Sequence, residues 1–137
     1  MEGVPTILIV DKHPIFRYSL GDWLRVSLRP CLVQEVENGE DALAFAKEAL
    51  PDIVVTDLKL PDISGLDVTR KIMELDSNIA VVVISLHQGK AYRDAALQAG
   101  AVEFVNKFDL SLQLVPTLKR LLASETRQKT QKVVRSG

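Results

Sequence analysis

Cysteine occurs once in the 137 residues, at Cys31, so the chain cannot close a disulfide on itself, and no Cys/His cluster has the spacing of a zinc site. A reducing setting follows as the simplest expectation. Charge of one sign is also missing: 17 Lys and Arg stand against 18 Asp and Glu, giving a net −1 and a pI near 6.1. The molecule as a whole therefore lacks the electrostatic signature of nucleic-acid or membrane binding. No apolar run approaches membrane-spanning length, and Met1-Glu2-Gly3-Val4-Pro5 lacks the basic and then apolar pattern of a signal peptide. These absences lead us to expect a cytoplasmic protein with no membrane association.

The near-neutral total hides an asymmetry. Residues 119–137 hold six cations against the single acid Glu125, a net of +5, which leaves residues 1–118 at −6. With 47% hydrophobic residues, the chain is long enough for one domain with a full core and too short for two. We expect a folded domain over residues 1–123 and, over 124–137, a basic linker or frayed helical extension.

Five strand-helix units follow one another, without internal repeats. Ile7-Leu8-Ile9-Val10, Ile53-Val54-Val55-Thr56 and Val81-Val82-Val83-Ile84 are short, continuous, β-branched runs. Such runs read as strands buried on both faces. Shorter strands are expected over Cys31–Val36 and Val102–Val105. Helices are expected from about Pro14, with proline well suited to a helix start, after Asn38-Gly39 with Leu43 and Leu50 on its apolar face, over Leu66–Leu75, and over Gly89–Gln98 up to a glycine stop at Gly100. The last should begin near Asp109 or Ser111, either able to cap it, and carry Pro116 as a kink or tightened first turn. Alternating strands and helices require right-handed crossovers, hence a doubly wound α/β domain with helices on both faces of a parallel sheet.

Four polar residues end the apolar runs: Asp11, Asp57, Ser85 and Lys107. All should gather at the carboxyl edge of the sheet, where open α/β sheets hold ligands. A carboxylate can act as nucleophile on an activated phosphoryl donor, and an ammonium and a hydroxyl can stabilise the oxygens of the transferred group.

On these residues the chain resembles the receiver domains of two-component response regulators, the CheY-like family, up to about residue 123. The opening Asp11-Lys12-His13-Pro14-Ile15-Phe16-Arg17 is similar to that of receivers joined to a LuxR-type helix-turn-helix. The resemblance implies a flavodoxin-like five-stranded sheet of order 2-1-3-4-5, Asp57 as phosphoacceptor from a histidine kinase, Ser85 and Lys107 as its helpers, and Phe104 as a switch aromatic. It further implies Mg²⁺ held by Asp11, Asp57 and the Lys59 backbone carbonyl. The second acid that the family places after its first strand is here Lys12, so magnesium binding should be weak or absent, with Lys12 free to form a standing ion pair with Asp57. Leu86 stands where a small residue is usual and would narrow the pocket mouth. Lys59 and His87 are placed to overhang the pocket and tune the lifetime of the phosphoryl group, while His13 and Phe16 read as capping or packing residues.

The resemblance implies a signalling function rather than a turnover enzyme, with transcription control through a DNA-binding output not present in this chain and a possible homodimer. The alternative is a phosphorylation-independent pseudo-receiver that serves as an interaction or dimerisation module. An aspartate-nucleophile hydrolase of haloacid-dehalogenase type is a third reading. It is disfavoured because that family carries a second Asp two residues after the nucleophile, at the position of Lys59, and because the chain has no room for a cap domain.

Overall fold

The computed structural model describes the backbone of residues 3–136 and the side chains of residues 3–124. Five strands alternate with five helices: β1 (Thr6–Val10), α1 (Pro14–Ser27), β2 (Leu32–Val36), α2 (Gly39–Ala49), β3 (Ile53–Asp57), α3 (Gly65–Leu75), β4 (Ala80–Ser85), α4 (Lys90–Ala99), β5 (Glu103–Asn106) and α5 (Leu110–Ser136). All strand pairs are parallel, in the order β2-β1-β3-β4-β5. This is the doubly wound, CheY-like arrangement expected from the alternation and the resemblance.

Because side chains alternate across a strand, each strand feeds two cores. Ile7, Ile9, Ile53, Val55, Val82 and Ile84 face α1 and α5, meeting Leu20, Leu24, Leu114 and Leu118. Leu8, Val10, Val54, Val81 and Val83 face the other way, toward Ala42, Ala46, Val68, Ile72 and Ala96 of α2, α3 and α4. β3 is buried along its whole length, Asp57 included, so Asp57 enters a loop directly from the driest part of the sheet.

Local chemistry sets the element ends. Asn38 and Ser64 accept backbone N–H bonds from Asp41 and Asp67 and so cap α2 and α3. Asp62 adds a second clamp on α2, its two carboxylate oxygens accepting from Gly39 N at 2.9 Å and Glu40 N at 2.8 Å. Slight burial works against the charged form of Asp62, but these backbone donors outweigh it and hold its carboxyl below the usual value. Gly100 ends α4 with φ of 114°, a conformation only glycine adopts without strain.

Three local expectations are corrected. Leu50 does not lie on the apolar face of α2; it is the left-handed C-cap residue ahead of Pro51 and is exposed. Neither Asp109 nor Ser111 caps the last helix. A 3₁₀ turn over Lys107–Asp109 is capped instead by the Asn106 side chain, which accepts from Phe108 N at 2.8 Å, and α5 runs on from it. Strand 5 also sits one residue later than expected, at Glu103–Asn106. Pro116 is carried inside α5. The side chains of the basic tail beyond Ser124 lie outside the described residues. Among the described residues no helix is long and apolar enough to cross a membrane.

Candidate functional site

Neighbouring strands β1 and β3, in register from Ile7–Ile53 to Val10–Thr56, deliver Asp11 and Asp57 side by side at the carboxyl edge. Lys107, the first residue of the 3₁₀ turn after β5, reaches back to both. Its Nζ lies 2.9 Å from Asp11 Oδ2 and 3.2 Å from Asp57 Oδ2. All three groups are nearly out of water: the Asp11 side chain is 0% exposed, that of Asp57 9% and that of Lys107 7%. The same ammonium stands 4.3 Å from the centre of the Phe16 ring, a cation–π contact. Phe16 is thus a site residue as well as a packing one.

Burial pushes the Asp57 carboxyl above its ordinary value; Lys107 opposes the shift, and the neighbouring Asp11 charge adds to it. Lys107 occupies one oxygen of Asp57. The other, Oδ1, receives only a long 3.4 Å contact from Lys59 N. It is the freer of the two oxygens.

Asp11 is held from several directions. Its Oδ1 accepts the His13 backbone N–H at 2.8 Å and lies 3.1 Å from His13 Nδ1. Its backbone carbonyl accepts from Nη1 of the buried Arg17 at 2.7 Å, and Arg17 Nε in turn lies 3.7 Å from Glu35 Oε1. The loop between β1 and α1 is therefore tied down by residues of α1 and β2.

Ser85 ends β4, buried, and its Oγ accepts the His87 N–H at 2.9 Å. Phe104 lies in the core beneath this edge, 7% exposed. Gly65 makes the return from the Asp57 loop possible: a Cβ there would run into the Asp57 carbonyl oxygen and the Leu58 Cα.

Among the other expected site residues, Lys12 sits differently. Lys12 is exposed and makes no ion pair with Asp57 among the described residues; Lys107 holds that position instead. The turn closed by the Asp11–His13 bond explains this, because residue 12 lies at its outer corner. Two carboxylates and one ammonium leave the pocket at −1, where counting Lys12 within it would give zero. Leu86 is 56% exposed, and His87 stacks near Tyr92 with ring centres 5.1 Å apart. Lys59 is exposed.

His13 is the residue that sequence reasoning undervalued. Although it precedes α1, its side chain makes no capping bond. It joins Asp11 and Asp57 instead, one donor atom from each of the three lying within 4.8 Å of the others.

A 2-1-3-4-5 parallel sheet presenting two buried acids, a hydroxyl and a lysine at its carboxyl edge defines a phospho-signalling receiver. The comparisons with known proteins agree: the response regulator receiver domain model matches residues 7–115, and the chain belongs to that family. It is 36% identical over 117 residues to the transcriptional activator protein ExaE of Pseudomonas putida, covering 85% of this chain and 55% of that protein. It is 30% identical over 119 residues to the response regulator GacA of Pseudomonas aeruginosa, covering 87% and 56%. The chain thus spans just over half the length of these curated relatives.

Among solved structures, a LuxR-family two-component response regulator from Aurantimonas sp. SI85-9A1 superposes with a TM-score of 0.80 at 33% identity, covering 89% of this chain and 87% of that one. The signal receiver domain of the putative response regulator NarL from Mycobacterium tuberculosis gives 0.80 at 28%, covering 88% and 97%.

Proposed function

We propose that Asp57 accepts a phosphoryl group from the phosphohistidine of a histidine kinase and that the chain is the control element of a transcription regulator. The observation that carries this reading is the asymmetry of the Asp57 carboxylate, with one oxygen on Lys107 and the other open at the rim of the sheet. In the reaction, Oδ1 forms the new O–P bond as the donor's N–P bond breaks, and the imidazole leaves with the electron pair and takes up a proton. Charge on the transferred group is met by the Lys107 ammonium, which Asp11 and Phe16 keep at the pocket as it shifts from Asp57 Oδ2 to a phosphoryl oxygen. The Lys59 N–H and the Ser85 hydroxyl complete the donors around the phosphoryl oxygens.

Receiver domains commonly bind Mg²⁺ at such an acidic pocket. Magnesium takes oxygen ligands in near-ideal octahedral geometry and leans on carboxylates. Here the position of the second acid is Lys12, and the third side chain at the pocket is an imidazole. The residues present do not fit Mg²⁺ well, and no step of the reaction is routed through it.

Lys107 leaving Asp57 Oδ2 for a phosphoryl oxygen would change the packing beside β5 and couple the pocket to Phe104 and the α4-β5-α5 side. Control of DNA would then pass to an output segment of the kind that full-length transcriptional relatives carry, with the kinase and the regulator meeting in the cytoplasm. The test is incubation with phosphoramidate in the presence of divalent salts, followed by intact-mass measurement. A gain of one phosphoryl group that disappears in Asp57→Asn is expected. An unmodified wild-type chain under all ions would overturn the reading in favour of a phosphate-independent interaction module.

A further inference from the structure

We infer that Asp62 is a positioning residue for phosphoryl transfer: its carboxylate pins the acceptor loop to the start of α2 and so sets where the Lys59 N–H stands against Asp57. The inference rests on the proposed phosphoacceptor reading and deepens it.

The loop from Asp57 to Gly65 carries a donor that the reaction needs. Leu58 N donates to Ile84 O at 2.9 Å and Gly65 N to Leu58 O at 2.8 Å, so backbone bonds fix both ends of the loop. Lys59 N stands between them, 3.4 Å from Asp57 Oδ1. That distance is too long for a good hydrogen bond, and the N–H has to close on a phosphoryl oxygen before it can stabilise the charge there. Its reach depends on how the largely exposed stretch of residues 59–62 is held.

Two observations identify the hold. First, Asp62 commits both carboxylate oxygens to α2, Oδ1 accepting from Gly39 N at 2.9 Å and Oδ2 from Glu40 N at 2.8 Å. An anion on two successive N–H groups at a helix start is fixed in direction as well as distance, and the positive end of the helix dipole strengthens the contact. Second, Ile63 is seated against the same turn: a Cβ on Gly39 would run into the Ile63 side chain. The acceptor loop therefore meets α2 at Gly39 through a charged contact and an apolar one side by side.

The anchor itself is firm. Ala42 and Ala46 bury α2 in the same core as Leu8 and Val10 of β1. The next N–H of the first turn, that of Asp41, is taken by Asn38 Oδ1 at 2.8 Å. Asn38 and Asp62 thus share the capping of one helix, but only Asp62 belongs to the loop that follows the acceptor. That division separates a role in positioning from a role in helix stability.

The experiment compares the full chain as wild type, Asp62→Ala, Asp62→Asn and Asn38→Ala. Rates of phosphoramidate labelling with divalent salts are read by intact mass over a range of donor concentrations, at a temperature where circular dichroism shows every variant folded. Loss of either cap should lower the melting temperature to a similar degree. Asp62→Ala should lower the maximal labelling rate at least about fivefold, within the roughly 10²-fold that a misplacement of about 1 Å can cost, and leave the half-saturating donor concentration within about twofold. Asp62→Asn, which keeps one acceptor oxygen, should fall between, and Asn38→Ala should label at the wild-type rate. Hydrogen exchange over residues 58–65 should quicken in Asp62→Ala and stay unchanged in Asn38→Ala. A labelling rate unaltered in Asp62→Ala, or lowered equally in Asn38→Ala, would overturn the inference and leave the acceptor in place. A wild-type chain that takes no label overturns the acceptor reading, and this inference with it.

Discussion

Replacing Lys107 by Met keeps most of the aliphatic stem and removes only the charge that bridges Asp11 and Asp57. With the ammonium gone, two nearly buried carboxylates face each other without a counter-ion. Removing one partner of a buried ion pair costs about 3–5 kcal/mol. An unfolding entropy of about 2.1 cal/mol/K per residue, taken over the chain, gives about 0.3 kcal/mol per degree, so the melting temperature should fall by about 10–17 °C at pH 7. The loss should also depend on pH in a defined sense. Without Lys107 the native state holds its carboxyl protons more tightly than the unfolded chain does, so the deficit is largest at neutral pH and shrinks as the acids are protonated on the way to pH 4. Urea and thermal unfolding followed by circular dichroism at both pH values measure it, and the double variant Asp57→Asn, Lys107→Met should recover part of the loss by removing one of the two like charges. A deficit under about 1 kcal/mol, or one of equal size at pH 7 and pH 4, would refute the claim that this ammonium neutralises the pocket.

Asp57→Asn alone should stabilise the domain at neutral pH. Burial raises the native Asp57 pKa above the ordinary 3.8, so wild-type stability declines as pH climbs from that value through the raised one, and thermal midpoints between pH 4 and 7 should show a flatter profile in the variant. Lys12→Asp should raise Mg²⁺ affinity at least about tenfold by calorimetry. A unit-charge pair 4 Å apart in water is worth about 1 kcal/mol, so reversing one charge beside a divalent ion is worth up to about 4 kcal/mol before salt screening. Gly65→Ala should destabilise by about 1–3 kcal/mol and slow labelling of Asp57, because the added methyl meets the Asp57 carbonyl and must displace the acceptor loop; denaturant titration and intact-mass time courses read the two effects.

Much of the fold was legible because the central strands are short runs of mostly β-branched aliphatic residues, with Thr56 the one polar residue inside them, and because a polar residue follows each run. Asp57, Asp11 and Lys107 could be placed at one edge on that ground alone, and the structure joins them within 3.2 Å. What stayed hidden depended on direction and on distance along the chain. A histidine before a helix reads the same whether it caps the helix or turns away; the bond from its own N–H to Asp11 decides it. The same turn sends Lys12 outward, which a linear motif does not register. Asp62 clamps α2 from more than twenty residues downstream, and no local pattern announces that partner. Leu50 looked like a core residue by helical spacing, but it falls at the left-handed end before a proline.

The Lys107–Asp11 bond joins residues 96 positions apart, and this has a bearing on biogenesis. A chain emerging from its N-terminus exposes both acids long before the lysine that balances them has been synthesised. The pocket therefore becomes electrostatically complete only once β5 has paired with β4 at the edge of the sheet and the turn after it has carried Lys107 back to Asp11, the contact of high sequence separation. Intermediates that lack that final strand would present an unbalanced pair of carboxylates, so the charge balance of the pocket depends on the last strand to be synthesised.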